Sequence, residues 1–326
     1  MEKVIKVGVL GCANIAVRSV IPAFQNNPRF KIEAIASRNL SKVNPVAEQY
    51  KCKAYSNYDS LLSDSNVNLV YCPLPTGLHY EWVMKALSHG KHVLCEKSLG
   101  VDSDEVSQMV DLARKNNLLL MENFQFRFHS QTQWVRDYIS SGKLGELRCF
   151  RSQFGFPPFQ DASNIRYKPE LGGGALLDAG AYTLKSTRII LPDEKFQVKA
   201  ATMITPESYD VDIYGGIFME SQNGVIAELA YGFDNFYQCG YEIWGSKAKL
   251  SALRAYTAPP SLEPIIVIET PNEGRREIKL PSCDHFYEMT NRVADLLSVG
   301  DFEEEYLQNI IQSNYITKVK TISYGK

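Results

Sequence analysis

The sequence predicts an α/β protein of two domains, a doubly wound parallel sheet first and a domain with an antiparallel or mixed sheet after it. Three observations carry this expectation. At 326 residues the chain is longer than one compact core usually spans, so two domains are the natural division. Up to about residue 121, short apolar runs alternate with helix-period segments. That alternation argues for parallel strands joined by helical crossovers and covered on both faces. From residue 146 onward, β-rich runs succeed one another with few helices between them, as antiparallel or mixed pairing requires. The expected boundaries are 1–122 and 123–326.

Met1 to Lys6 enters a strand pattern at once, and Val4 to Leu10 reads as the first strand, with a helical stretch from about Ile15. Pro22 is expected to kink or end that helix and so keep it short. Phe30 to Ala36 and Asn68 to Cys72 are the next strands. Thr76 to Ser88 places Trp82, Val83, Ala86 and Leu87 on one helical face, and His92 to Cys95 follows as a strand. Asp102 reads as an N-cap with Glu105 completing a capping box, ahead of a stripe of Val106, Met109, Val110 and Ala113. Leu118 to Met121 closes the series.

In the second half, Gln131 to Ser140 is amphipathic and Glu146 to Phe156 alternates. A Gly-rich stretch leads into a helix over Gly172 to Leu191. Strands are expected at Phe196 to Thr205, Asp210 to Glu220, Val225 to Phe233, Tyr241 to Gly245 and Pro264 to Glu269. Helices over Asp284 to Ser298 and Glu303 to Asn314 finish the chain.

Apolar residues make up 44% and charged residues 22%, an ordinary globular composition that excludes a disordered or fibrous chain. The net charge is −2 with no basic run, which leaves no footprint for nucleic acid or an anionic membrane. A small molecule is therefore the expected partner. No apolar run approaches the length of a membrane span, and the opening residues lack the pattern of a secretion signal. The seven cysteines stand far apart, without a Cys-x-x-Cys pair, and read as reduced thiols of a cytoplasmic protein. His89 and His92 are separated by a helix end, so no metal site is expected.

The first turn reads Gly11-Cys12-Ala13-Asn14-Ile15-Ala16, a Gly-x-Gly-x-x-Gly fingerprint with alanine in its second and third places. Gly11 permits the tight turn, a small residue at 13 lets the backbone approach a pyrophosphate, and one at 16 lets helix and strand pack closely. The helix N-terminus then offers N–H groups to phosphate. The second strand ends in Ser37-Arg38, with no acid before Asp59. A carboxylate there would hold the ribose 2′-hydroxyl of NAD, whereas a hydroxyl and a cation suit the 2′-phosphate of NADP(H), the expected cofactor.

With the segments Pro73-Leu-Pro-Thr-Gly-Leu-His79, Gly90-Lys-His-Val-Leu-Cys-Glu-Lys97, Arg127-Phe-His129 and Gly172-Gly-Gly-Ala-Leu-Leu-Asp-Ala-Gly-Ala-Tyr182, the chain resembles the glucose-fructose oxidoreductase/inositol dehydrogenase/MocA superfamily. Tyr182, where many members have His, and the first turn are similar to its branch of nucleotide-linked sugar 3-ketoreductases. The resemblance implies a Rossmann domain, a C-terminal α/β domain with a large open, mostly antiparallel sheet that builds a homodimer or homotetramer, and a site in the cleft between them. It implies a dinucleotide lined by Gly11 to Ile15, Ser37, Arg38, Pro73, Leu74, His79, Glu96 and Lys97. It also implies that Lys97 and Tyr182 serve the chemistry. The usual Glu-Lys-Pro is Glu96-Lys97-Ser98 here, which puts the rigidity of that turn in question.

The residues support the same chemistry. Lys97 follows a parallel strand at its carboxyl end, where open α/β sheets bind ligands, and Asp178 and Tyr182 lie four apart on one predicted helix. Hydride reduction of a ketone builds negative charge on oxygen that must be stabilised and protonated. A tyrosine suits the task once a neighbouring ammonium lowers its pKa, and Asp178 can orient substrate hydroxyls. Taken singly, Lys97 reads equally as a solvated strand-end lysine, Asp178 as a helix-turn residue and Tyr182 as a half-buried aromatic; their joint spacing favours catalysis. Arg127, His129, Arg166 and Lys168 are candidates for an anionic sugar-nucleotide pocket. His79 lies near the expected nicotinamide crevice, or donates to a backbone group. Phe124, Phe126 and Phe128 read as core or hinge packing. The expected activity is hydride transfer between NADP(H) and a sugar-like substrate, ketoreductase favoured. The alternatives are an NADP-linked sugar, polyol or dihydrodiol dehydrogenase, and a non-catalytic dinucleotide-binding regulator.

Overall fold

The computed structural model describes residues 4–324; Met1, Glu2 and Lys3, which precede the expected first strand, lie outside the described residues. The chain divides into two compact units, Met1–Asn123 with Phe286–Ser313, and Phe124–His285 with Asn314–Lys326. The first change of unit falls beside the boundary expected at 122/123. The second domain is not the contiguous 123–326, because the chain returns to the first unit. Specific bonds explain the return. Asn27 donates to Thr290 Oγ1 and Asn291 Oδ1, both at 2.9 Å, while Tyr306 donates to Leu118 O and Asn309 to Leu120 O. Buried carbonyls at the start of the last strand of the first sheet are thus satisfied by side chains nearly two hundred residues on.

The first unit contains strands β1 (Ile5–Leu10), β2 (Phe30–Ala36), β3 (Lys53–Tyr55), β4 (Leu69–Cys72), β5 (His92–Glu96) and β6 (Leu120–Asn123). Their order is β3-β2-β1-β4-β5-β6 and every pairing is parallel. The order reverses between β1 and β4, the switch point at which such sheets bind ligands beyond the carboxyl ends of their strands. Helices α1 (Ile21–Asn26), α2 (Leu40–Tyr50), α3 (Tyr58–Leu62), α4 (His79–Ser88) and α5 (Ser103–Lys115) connect the strands. The cap expected at Asp102 is present: its Oδ1 accepts from the amides of Asp104 and Glu105, and Glu105 Oε2 accepts from Val101 N. β3, α2 and α3 were not legible in the sequence. Asn39 and Asn57 cap the two helices, accepting from Ser41 N and Ser60 N.

Pro22 does not end the first helix, which runs over residues 14–26. Ala16–Val20 forms a π-helical turn, and the proline falls in the first turn of α1, where no backbone donor is needed.

The second unit contains α6 (Ser130–Ser140), β7 (Leu147–Gly155), a π-helical turn Leu176–Gly180 continuing into α7 (Ala181–Ile190), and strands β8 (Phe196–Ile204), β9 (Tyr214–Ser221), β10 (Ile226–Gly232), β11 (Gln238–Gly245), β12 (Lys249–Ala252), β13 (Ile265–Thr270) and β14 (Gly274–Lys279). The eight strands form one sheet, β14-β13-β12-β11-β7-β10-β9-β8, antiparallel apart from β7 with β10. α7 packs on β7 and β10, burying Phe150, Phe154, Leu229 and Tyr231. The period-2 alternation turns Arg151, Phe218 and Trp244 to the opposite face, where Phe218 and Trp244 are 39% and 40% exposed.

Candidate cofactor and catalytic sites

In the first unit the turn after β1 is built around Gly11, whose φ of +103° is closed to side-chain-bearing residues, and its amide donates to Ala36 O at 2.7 Å. A Cβ at Gly11 would lie 3.3 Å from Leu74 Cδ2 and 3.7 Å from the Tyr58 hydroxyl. The space is tight but not closed, so it is the backbone angle that calls for glycine there. Cys12, Ala13 and Ile15 are half-buried and Asn14 is exposed. At the end of β2, Ser37 Oγ accepts from Asn39 N, and Arg38 is exposed. Burial pushes the Tyr58 phenol up, and the Arg38 guanidinium beside it opposes that shift. Burial also pushes the Cys12 thiol up, against the pull of Lys42. Lys42 is a second cation near the turn that the sequence reading missed; the signal was its place in the helix that follows Ser37-Arg38. A positive-φ glycine, small neighbours, a helix N-terminus and two cations without a strand-end carboxylate fit a dinucleotide with an extra phosphate.

The loops after β4 and β5 are tied together. His79 is fully buried; Nε2 lies 2.7 Å from Leu74 O and Nδ1 2.8 Å from Ser98 O. Burial lowers its pKa. The ring thus sits between carbonyls of the two loops and in its neutral form donates to one of them, and the expected contact of its ring with a dinucleotide gives way to the backbone alternative. Pro73 is buried and Leu74 half-buried beside it. Glu96 Oε1 accepts from Tyr71 Oη at 2.8 Å and Asn123 Nδ2 at 2.7 Å, so this carboxylate anchors the end of β5. Burial pushes its pKa up, and those two donors hold it back. Lys97 is half-buried just beyond β5, and the Lys97–Ser98 peptide is cis. Without the usual proline the turn is still pinned, through His79 at Ser98 O and through Glu122 Oε1 at Leu99 N.

Among the described residues, Cys72, His79 and Cys95 bring ligand atoms within 4.8 Å of one another. Both nitrogens of His79 already face carbonyl oxygens, and burial pushes the Cys95 thiol far up, so the trio does not offer the deprotonated tetrahedral donor set of a zinc site.

The second unit holds Asp178, in the π turn, and Tyr182, in the first turn of α7. The Tyr182 ring is buried among Phe124, Phe126, Phe154 and Tyr256, with centroids 5.0 to 5.9 Å away. Its hydroxyl receives a long contact, 3.5 Å, from Gln125 Nε2. Gln125 escaped the sequence reading because it stands between Phe124 and Phe126 in a stretch that reads as core. Arg166 Nε meets Asp178 Oδ2 at 2.5 Å. Asp212 accepts from Leu176 N at 2.7 Å and fixes the helix start; burial pushes its carboxyl up to about 6. The remaining pocket candidates are dispersed. His129 is buried and caps α6, so it does not line an open pocket. Arg127 lies over Phe128, and the half-buried Lys168 sits on the turn beside Arg166.

Residues 5–124 match the sequence model of the GFO/IDH/MocA oxidoreductase family with its NAD-binding Rossmann fold, and residues 132–251 match the model of the family's C-terminal domain. A dTDP-3,4-didehydro-2,6-dideoxy-alpha-D-glucose 3-reductase of Saccharopolyspora spinosa is 41% identical, over 87% of this chain and 85% of its own. The chain belongs to this family. A D-xylose 1-dehydrogenase (NADP(+)) of Haloferax volcanii is 35% identical over 78% of this chain and 77% of its own. Among solved structures, a 3-ketoreductase from Actinomadura kijaniata, in complex with NADP and TDP-benzene, superposes with a TM-score of 0.94 at 34% identity, covering 98% of both chains. Forms of that protein with a tyrosine replaced by phenylalanine, and with a lysine replaced by alanine, superpose with TM-scores of 0.94 and 0.91. As a member of the family the chain is an oxidoreductase with a Rossmann unit and an open-sheet unit.

Proposed function

We propose that the protein is an NADPH-dependent reductase of a 3-keto sugar carried on a nucleoside diphosphate. The observation that carries the reading is the similarity to the 3-reductase of Saccharopolyspora spinosa, 41% identical across 87% of the chain. The strand-end pair Ser37-Arg38 and the nearby Lys42 support the extra phosphate. Bound NADPH supplies the hydride. Tyr182 donates the proton to the developing alkoxide, from a hydroxyl fixed by its aromatic surroundings. Lys97 stabilises the negative charge that develops on the substrate oxygen, and Asp178 orients a substrate hydroxyl. A pure sensor has no use for this set, which disfavours the regulator.

The similarity to an NADP-linked D-xylose 1-dehydrogenase favours a second reading, oxidation of a free sugar. A panel of free and nucleotide-linked ketosugars with NADPH, and of free aldoses with NADP, separates the two. Turnover confined to nucleotide-linked 3-ketosugars is the expected result; turnover confined to free aldoses overturns the proposal. The open sheet face of the second unit supports a homodimer or homotetramer, and the free cysteines fit a cytoplasmic setting. A depression of about 480 Å³ lies there, lined by Gln153, Ala200, Gly216, Phe218 and Ala230 among others. A monomeric mass by light scattering at micromolar concentration would refute that assembly.

A further inference from the structure

We propose that Arg166 is a positioning residue of the reaction, which holds Asp178 by an ion pair and screens Tyr182 from that carboxylate, and does not clasp the substrate's phosphates. The inference rests on the assignment of Tyr182 as proton donor. Arg166 sits in the turn Ile165–Tyr167, whose start is fixed by Asn164 Oδ1 accepting from Arg166 N at 3.1 Å. That turn is locked to the approach to the catalytic helix, for Gly173 N donates to Lys168 O at 3.0 Å and Gly174 N to Arg166 O at 2.9 Å. A Cβ at Gly173 would stand 2.6 Å from Arg166 O, so only glycine lets the strands of the turn come this close.

The guanidinium is held on two sides. Its Nε meets Asp178 Oδ2 at 2.5 Å, and its plane lies over Phe159 with 4.8 Å to the ring centroid. Asp178 stands four residues before Tyr182 with the π turn Leu176–Gly180 reaching between them, and the charges of both act on the Arg166 guanidinium. An unpaired carboxylate there would oppose negative charge on the tyrosine oxygen and make it a weaker acid. Pairing with Arg166 removes that opposition. The guanidinium's charge is favoured most by Asp178 and next by the Tyr182 oxygen, and the attraction is mutual.

The test uses Arg166→Met, Arg166→Lys and the double variant Arg166→Met/Asp178→Asn in the full chain. Two readouts are followed: the pH profile of kcat, and the NMR titration of tyrosine labelled at the hydroxyl-bearing ring carbon, assigned through Tyr182→Phe. Arg166→Met should lower kcat by about tenfold to a hundredfold, with little change in KM, and raise the Tyr182 midpoint and the alkaline limb by about one pH unit. Arg166→Lys should restore most of both, and Asp178→Asn should bring the midpoint of Arg166→Met back towards wild type. A raised KM for nucleotide-linked sugars with an unmoved midpoint and limb would overturn the proposal. If the wild type reduces no ketosugar, the proposed function falls, and the Tyr182 midpoint alone still decides for or against Arg166.

Discussion

Acid should unfold the second unit partly through a single ring. His129 is 1% exposed, its Nδ1 accepts Gln131 N at 3.1 Å to cap α6, and the His285 ring lies 5.7 Å away. Burial pushes His129 down to about 4 and His285 to about 3, the latter also by repulsion from His129. A free histidine titrates near 6.5, so the unfolded chain takes up protons that the folded unit refuses. The stabilisation is complete above pH 6.5 and is lost as pH falls towards 4. For a folded value of about 4, the loss between pH 7 and pH 5 is about 2 kcal/mol. Asp212 works in the opposite sense: raised from 3.8 to about 6, it favours the fold as pH falls through that range. The clean measure is therefore a difference between variants in which Asp212 is common. His129→Asn keeps a capping side chain but does not titrate. Urea unfolding at pH 5, 6 and 7, read by the fluorescence of Trp134 and Trp244, should show a decline from pH 7 to 5 that is smaller in His129→Asn by about 2 kcal/mol. An unchanged decline in the variant would refute the assignment of a buried neutral ring.

Two further expectations concern the cofactor and the proton. Arg38→Ala should weaken NADPH by about tenfold to a hundredfold in titration calorimetry while leaving NADH nearly unchanged, since a charge-assisted bond to phosphate is worth about 1.5 to 3 kcal/mol. Equal affinity of the wild type for both cofactors would contradict this. Tyr182→Phe should cut turnover by roughly a hundredfold to ten-thousandfold without harming NADPH binding. Lys97→Ala should also be slow, and the double variant little worse than the poorer single one, because residues acting as a unit are not additive. Near-normal turnover in Tyr182→Phe beside a dead Lys97→Ala would move the acid to the lysine or to water.

The fold was legible where periodicity was strong. Each of the five strands expected in the first half lies in the parallel sheet, because buried parallel strands read as continuous apolar runs. β3 escaped because Lys53 and Ala54 are exposed at the sheet edge and Tyr55 is only half-buried, so no apolar run marks it. β14 escaped for the same reason: Gly274 to Glu277 and Lys279 are exposed. The return of Phe286–Ser313 to the first unit rests on side chains such as Asn27 and Asn309 that bond across great sequence distance, and no local pattern encodes a partner so far away. Among the candidate residues, Gly11, Lys97, Asp178 and Tyr182 were singled out by residue type, spacing and the family resemblance. What Arg166, His79 and Glu96 hold could not be read, since a charge or a ring in sequence does not say which neighbour it meets.

Both helices that carry the expected chemistry begin with a π turn, and the two turns have different local causes. In the first, Ile21 N bonds Ala16 O, five residues back, and the α-helical register restarts at Ile21 with Pro22 in its opening turn. The extra residue thus places the missing N–H of the proline where the helix needs no donor, and lets the helix reach Asn26. In the second, Ala181 N bonds Leu176 O, and Gly180 lies within the turn, where a Cβ would come 3.1 Å from both Leu176 Cδ1 and the Tyr231 ring. Here no proline needs accommodating. The wide turn and the bare glycine let the helix settle on β10, and Asp212 holds its first amide. Asp178 lies inside the widened turn and Tyr182 just beyond it, so the ion pair of Asp178 with Arg166 is made at the least regular point of the helix. Single π turns concentrate at functional sites because they move one side chain off the regular face. Here that side chain is Asp178, the carboxylate that Arg166 is proposed to hold for the sake of Tyr182.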